Sequence, residues 1–546
     1  MRDHMTENRE MERAYEGISP FEFKNELIQL AKDQEKKSAR ALLDAGRGNP
    51  NWTAATPREA FFALGLFAVK ESREVWNEGD LAGQPAKHGI AARLRKYIGE
   101  HSEQPGVEWL GKFIDYGIEQ CGFDPDAWVY ELTDAIMGDN YPEPDRMLNY
   151  VERIVHDYVL QEMAQSDTSI REFDLFAVEG ATAAMCYIFE TLHANGLLTT
   201  GDRIALMVPI FPPYIEIPQL TQYNFEVIEI RATEMTEQGE HTWQYPDSEL
   251  EKLTDPSIKA LFLVNPSNPP SVAMRPESKQ SLVSIVKRHN PTLMIISDDV
   301  YGTFVDDYRS LMADLPYHTI GVYSFSKYFG VTGWRLGVIS VQRENIFDDL
   351  LQQLPIEKKV QLKKRYASLS LHPERLRFID RLVADSRQVA LNHTAGLSTP
   401  QQVQMAMFAG FALLDHERNY RKLTKEICRR RKRLLMKGLS LEFREDPYDA
   451  AYYTEFDLSE WAFHHYGAGF TEFLTKNYEP IDILLRLARK ASIVLLNGGG
   501  FHGPNWSIRV SLANLPDDAY AIIGKELHHV LEEYVVVWQG QKQPTS

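Results

Sequence analysis

The chain is poor in cysteine, in long apolar runs and in net positive charge. Its 546 residues hold three cysteines, Cys121, Cys186 and Cys428, none in a Cys-x-x-Cys pair. An odd, scattered set excludes a disulfide framework and a cysteine zinc site, and fits a reducing compartment. No metal is expected. No stretch approaches the ~20 apolar residues of a membrane span. The first ten residues are charged and lack the apolar segment of a signal peptide. A soluble, cytoplasmic protein is the expectation. The formal net charge of −18 argues against nucleic acid and anionic membranes as partners. The basic run Arg429-Arg-Arg-Lys-Arg433 has no aromatic platform beside it and reads as a solvated helix face.

What is present is an ordinary globular composition, 44% hydrophobic and 25% charged, in a chain long enough for more than one domain. Short apolar runs at 173–178, 203–208, 260–264, 293–297, 319–323 and 336–341 alternate with amphipathic helices. That alternation predicts an α/β fold around a mainly parallel sheet. Residues 151–420 would form this large domain. Residues 1–150 and 421–546, mostly helical, would pack together as a smaller one. Two helical stretches, about 60–135 and about 345–390, exceed the usual connections and read as insertions on the surface or at subunit contacts.

Polar motifs follow the strands directly, which gathers them at the carboxyl edge of the sheet, where open α/β folds bind ligands. Lys327 lies in Ser324-Phe-Ser-Lys-Tyr-Phe-Gly-Val-Thr-Gly-Trp-Arg335. An amine flanked by hydroxyls, with an arginine eight positions on, suits pyridoxal phosphate (PLP): an aldehyde to capture and a phosphate to hold. Ser324 and Arg335 would clamp the phosphate, with Ser326 as a further hydroxyl. Gly180, Ala181 and Thr182 join a strand to a helix, and such a helix N-terminus binds phosphate through free backbone N–H groups. Phe211 could stack on a flat heterocycle, although a core Phe is the commoner role of such a residue. Asn268, in Asn265-Pro-Ser-Asn-Pro-Pro270, could donate to a ring hydroxyl. Asp298 follows four largely apolar residues, where a carboxylate is costly unless paired. A protonated pyridine nitrogen is such a partner. Asp299 is the adjacent alternative; the Asp-x-x-Tyr spacing favours Asp298 and puts Tyr301 near the ring oxygen. Arg509, mid-strand in Trp506-Ser-Ile-Arg-Val-Ser511, calls for a bidentate partner such as a substrate α-carboxylate.

As a set and in this order, the motifs resemble the class I/II aminotransferase family of fold-type I PLP enzymes. Gly46-Arg-Gly-Asn-Pro50 and Glu179-Gly-Ala-Thr182 extend the match over nearly the whole chain. The resemblance implies that Lys327 holds the cofactor and moves the α-proton. It implies that Asp298 holds the pyridine nitrogen, and that Arg509 and Gly48 meet the α-carboxylate. Tyr141 would reach the phosphate of a neighbouring subunit, so the site would lie at a dimer interface. Apart from the resemblance, Arg47, two residues before Asn49, would be a second cation near the substrate.

The length, the insertions and the Gly-Arg-Gly-Asn-Pro-Asn-Trp segment look like the bacterial aspartate 4-decarboxylases. Those enzymes convert L-aspartate to L-alanine and CO2, the CO2 leaving from a carbon β to an imine. They transaminate on the side with keto acids such as pyruvate or 2-oxoglutarate, and they form large homo-oligomers, up to a dodecamer. Related aspartate aminotransferases hold the distal carboxylate with an arginine; here Thr394, in Asn392-His-Thr-Ala-Gly-Leu-Ser-Thr-Pro400, falls at that place. A tight ion pair would stabilise a charge that decarboxylation must remove, so its loss suits β-decarboxylation. It equally suits an aminotransferase of other amino-acid specificity.

Overall fold

The computed structural model describes residues 2–38, 41–141, 146–170, 172–387 and 396–542. At its centre is a seven-stranded sheet of β1 (Phe173–Val178), β2 (Arg203–Val208), β3 (Glu226–Arg231), β4 (Ile258–Val264), β5 (Met294–Asp298), β6 (Thr319–Ser324) and β7 (Gly337–Gln342). The order across the sheet is β1-β7-β6-β5-β4-β2-β3. From β6 to β3 all neighbours are parallel, and β7 alone runs antiparallel, to both β6 and β1. The expected mainly parallel sheet is present, with this one reversed strand. Strands β1, β5 and β6 are buried at every residue. A sheet covered on both faces needs continuous apolar strands, which is why these runs stand out in the sequence. Strand β3 does not stand out. Its Glu226-Val-Ile-Glu-Ile-Arg231 carries charges, and only Ile230 is buried, as suits a sheet edge.

A second, antiparallel sheet holds β8 (Tyr453–Asp457), β9 (Leu496–Asn497) and β10 (Ser507–Ser511) in the order β8-β10-β9. The helices that frame the two sheets are α1 (Pro20–Ser38), α2 (Ala55–Val75), α3 (Asn149–Ala164), α4 (Ala181–Ala194), α5 (Thr399–Leu414), α6 (Asn419–Gly438), α7 (Asp482–Ala491) and α8 (Asp517–Lys542). Helix α1 packs on α7, α6 packs on α8, and Leu43–Asp44 pairs in parallel with Ile493–Val494. Residues 20–44 therefore lie on the C-terminal segment. Residues 55–137 do not. Helix α2 and helices Val107–Asp115 and Pro125–Met137 pack against α5, burying Leu64, Phe67, Leu110, Phe113 and Trp128. Of the stretch 345–390, helix Phe378–Asp385 packs on α4 and β1.

Side chains tie the two sheets together. His241, in the loop after β3, lies 3.0 Å from Asp457 at the end of β8. The run 429–433 is a solvated face only in part, with Arg433 exposed. Arg431 is buried, binding Asp517 at 2.9 Å, the Leu512 carbonyl at 3.1 Å and Asn51 at 2.9 Å, while Lys432 holds Asp449 at 2.6 Å. Among the described residues no helix is long and apolar enough to cross a membrane.

Candidate active site

The parallel strands deliver their loops to one edge, and there a cavity of about 280 Å³ opens between the two sheets. The turn from β1 into α4 brings Ala181 and Thr182; the loop after β2 brings Phe211; the loop after β4 brings Asn268. Asp298 and Tyr301 come from the end of β5. Ser324, Ser326, Lys327 and Arg335 come from the end of β6 and the turn that follows. From the other side, Gly48 and Arg509 of β10 close the wall. Twelve residues singled out in the sequence thus line a single cavity.

Gly180 stands just behind it. Its φ of 85° is open to glycine, and a Cβ there would come within 2.6 Å of the Arg335 guanidinium. Arg335 therefore lies against the N-terminus of α4, beside Ala181 and Thr182. Ser324 Oγ is 3.0 Å from Ser326 Oγ. Helix N–H groups, hydroxyls and a guanidinium converge as a phosphate cradle requires.

Asp298 and Asp299 differ sharply. Asp299 accepts from Ser297 (2.8 Å) of β5 and from Tyr308 (2.7 Å) and Ser310 (2.6 Å) of the segment that follows it. Asp298 faces the cavity with two long bonds, from Tyr214 Oη and the Val300 N–H, each 3.3 Å. Burial, with Asp299 beside it, pushes its carboxyl up to about 7. A buried acid so weakly held is poised for a cationic partner. Arg509 is just as poised. It is 1% exposed; it donates to Asn268 Oδ1 at 3.2 Å and to the Gly46 carbonyl at 2.8 Å, and its Nε has no partner. Because Asn268 Oδ1 accepts from Arg509, the Asn268 amide nitrogen is left as the donor. Lys327 Nζ donates to the Gly48 carbonyl at 3.0 Å.

Two candidates fall elsewhere. Arg47 does not line the cavity; its Nε pairs with Asp44 at 3.1 Å and its side chain is 60% exposed. Tyr141 is 69% exposed and lines a separate cleft with Tyr130 and Thr399. Thr394 lies outside the described residues. The structure adds Phe21, Thr332 and Tyr453 to the wall. Tyr453 had a visible signal, the Ala450-Ala-Tyr-Tyr-Thr-Glu-Phe456 run that pairs with the strand of Arg509. Phe21 had none, since the rings it meets, Phe211 and Phe501, are far along the chain.

Residues 149–523 match the aminotransferase class I and II family. The chain belongs to that family. A bifunctional aspartate aminotransferase and L-aspartate beta-decarboxylase of a Pseudomonas species is 48% identical over 523 residues, covering 95% of this chain and 97% of that one. An aspartate aminotransferase of Sulfurisphaera tokodaii is 25% identical over 44% of this chain and 58% of its own. Among solved structures, an aspartate aminotransferase from Rhizobium meliloti superposes with a TM-score of 0.58 at 16% identity, covering 94% of this chain and 96% of that one. At that identity the likeness shows the fold, a fold-type I architecture.

Proposed function

We propose that this class I and II aminotransferase is a PLP enzyme that converts L-aspartate to L-alanine and CO2, with transamination of aspartate as a side reaction. One observation carries the PLP chemistry: Lys327, a weakly held buried Asp298 and a partly unpaired buried Arg509 share a single cavity. The aspartate specificity rests on the 48% identical bifunctional relative, which matches this chain over nearly its full length.

The residues fit the cofactor part by part. The N-terminus of α4, Ser324, Ser326 and Arg335 would hold its phosphate, Phe211 would stack on its ring, and Asp298 would pair with the ring nitrogen. Asn268 would donate to the ring oxygen, with Tyr301 on the same wall. When bound, PLP supplies an aldehyde that captures amines and a ring that accepts electrons. Arg509, in the cavity wall, orients the substrate α-carboxylate. Lys327, whose Nζ lies within hydrogen-bond reach of the Gly48 carbonyl, would hold PLP and, once displaced by substrate, move the α-proton. The surrounding walls limit water, whose entry would favour release of the keto acid over loss of CO2.

We also propose a homo-oligomer. On α2, Phe62, Leu66 and Val69 share one exposed face, with Trp76 and Leu81 exposed just beyond it. Such a patch marks an interaction surface. Another copy of the chain is the proposed occupant, and Tyr141 would then reach the neighbouring site. Light scattering reads the assembly directly.

The test of the activity is to mix PLP-loaded protein with L-aspartate, without any keto acid, and quantify CO2 and alanine. Many turnovers of both are expected. A single turnover that stalls until pyruvate or 2-oxoglutarate is added would instead mean an aminotransferase.

A further inference from the structure

A proton count leaves one donor unassigned. Converting aspartate to alanine and CO2 consumes a proton. Lys327 takes the α-proton and returns it, so its own balance over a cycle is zero. As the bond from the β-carbon to the distal carboxylate breaks, its electron pair stays on the β-carbon and CO2 departs. That carbon must then gain a proton from a second group, which solvent recharges.

We infer that Tyr453 is that group, the catalytic acid that protonates the β-carbon. The inference rests on the proposed β-decarboxylation. Most other proton-bearing side chains of the cavity wall are committed. Thr182, Ser324, Ser326 and Arg335 belong to the phosphate cradle, and Asn268 and Arg509 bind each other at 3.2 Å. Tyr301 donates its hydroxyl proton to Tyr453 Oη at 3.2 Å. Tyr452, next in the chain, does not line the cavity, and its hydroxyl is taken up by the Gly48 carbonyl at 2.8 Å. Tyr453 Oη accepts from Tyr301, so its own proton is free to face the cavity.

The surroundings also suit a donor that becomes an anion. A Cβ on Gly48 would stand 2.7 Å from Tyr453 Oη and 2.9 Å from Lys327 Nζ, so hydroxyl and amine face the same point over Gly48. The Arg509 guanidinium carbon lies 4.2 Å from the centre of the Tyr453 ring. The phenolate left after transfer would keep the Tyr301 hydrogen bond and the Arg509 guanidinium beside its ring. Burial raises the Tyr453 hydroxyl, but Lys327, Arg509 and Tyr301 outweigh it and hold the group below the ordinary tyrosine range. Tyr301 and Tyr452, buried beside it, are driven well above that range. A hydroxyl lowered in this way is the better proton donor near neutral pH.

Tyr453→Phe removes the proton and keeps the ring over Arg509. With L-aspartate and pyruvate present, the PLP-loaded variant should lose decarboxylation relative to transamination by at least ~100-fold, the range of general acid catalysis. The pH at which the visible absorbance of the loaded protein changes should also shift, because a hydroxyl beside Lys327 is gone. Affinity for succinate, measured by calorimetry, should stay within about threefold, since no binding group is lost. A variant that keeps the wild-type ratio of alanine to keto acid overturns the inference. So does one in which both products and succinate affinity fall together, because that describes a wall residue. Wild-type protein that releases no CO2 would overturn the proposed function, and this inference with it.

Discussion

Single side chains decide the chemistry because burial makes each polar atom count. Lys327→Ala should abolish turnover, and borohydride should no longer fix PLP to the chain. Near-normal alanine formation by that variant would sink the assignment. Asp298 gives a finer test. Its neighbour Asp299 is fully used by three hydroxyls, so only Asp298 can serve the ring nitrogen. Asp298→Asn keeps the shape and removes the charge. We expect kcat to fall by roughly 100-fold or more, the loss typical of a misplaced electrostatic partner, with PLP still retained through Lys327. Asp299→Asn would instead leave a buried amide among three hydroxyls and should lower the melting temperature. If the two variants exchange these phenotypes, the assignment of the pair is reversed.

Elements explain what the sequence could and could not disclose. Buried strands announce themselves, so six of the seven central strands and the loops they launch were legible, and with them Lys327, Asp298 and Asn268. An edge strand such as β3 needs no apolar run and stayed hidden. Contacts between distant segments left no local trace either: Phe21 meets Phe211 and Phe501 only in the folded chain, and Arg431 is buried only because Asp517 comes to it. The crossing of α6 and α8 is a further case. A Cβ on Gly524 would fall 2.3 Å from the Leu435 carbonyl and 2.9 Å from the Gly438 Cα. Helix propensity alone predicts that Gly524→Ala gains about 1 kcal/mol. Overpacking at a backbone contact costs about 1–3 kcal/mol, so steric cost should win and the melting temperature should fall. A rise on thermal unfolding would show that the helices can move apart at little cost.

At the scale of the molecule, the cavity lies between two sheets whose joint is itself titratable. Arg509 reaches across from the smaller sheet, and Glu455 sits opposite it in the β8–β10 ladder. Glu455 is buried, accepts from Ser507 Oγ at 2.6 Å, and has a second oxygen without a partner. Burial pushes its carboxyl up to about 8. A carboxyl with a raised folded value binds its proton more tightly in the folded state. Its contribution to stability is therefore complete below the ordinary carboxylate range and is lost as pH rises through about 8. The His241–Asp457 tie has the opposite sign. Burial raises Asp457, but bonds from His241 and Ser459 outweigh it and hold the carboxyl low, so that tie weakens as pH falls. Between pH 6 and 9 the Glu455 effect should dominate, and the melting temperature of the loaded protein should decline. Glu455→Gln keeps an oxygen for Ser507 but cannot ionise, so its decline over the same range should be clearly shallower. Parallel curves for the two proteins would mean that Glu455 is already ionised at pH 6, paired across the ladder with Arg509. Arg509 would then have a standing partner, and its hold on a substrate carboxylate would be correspondingly weaker.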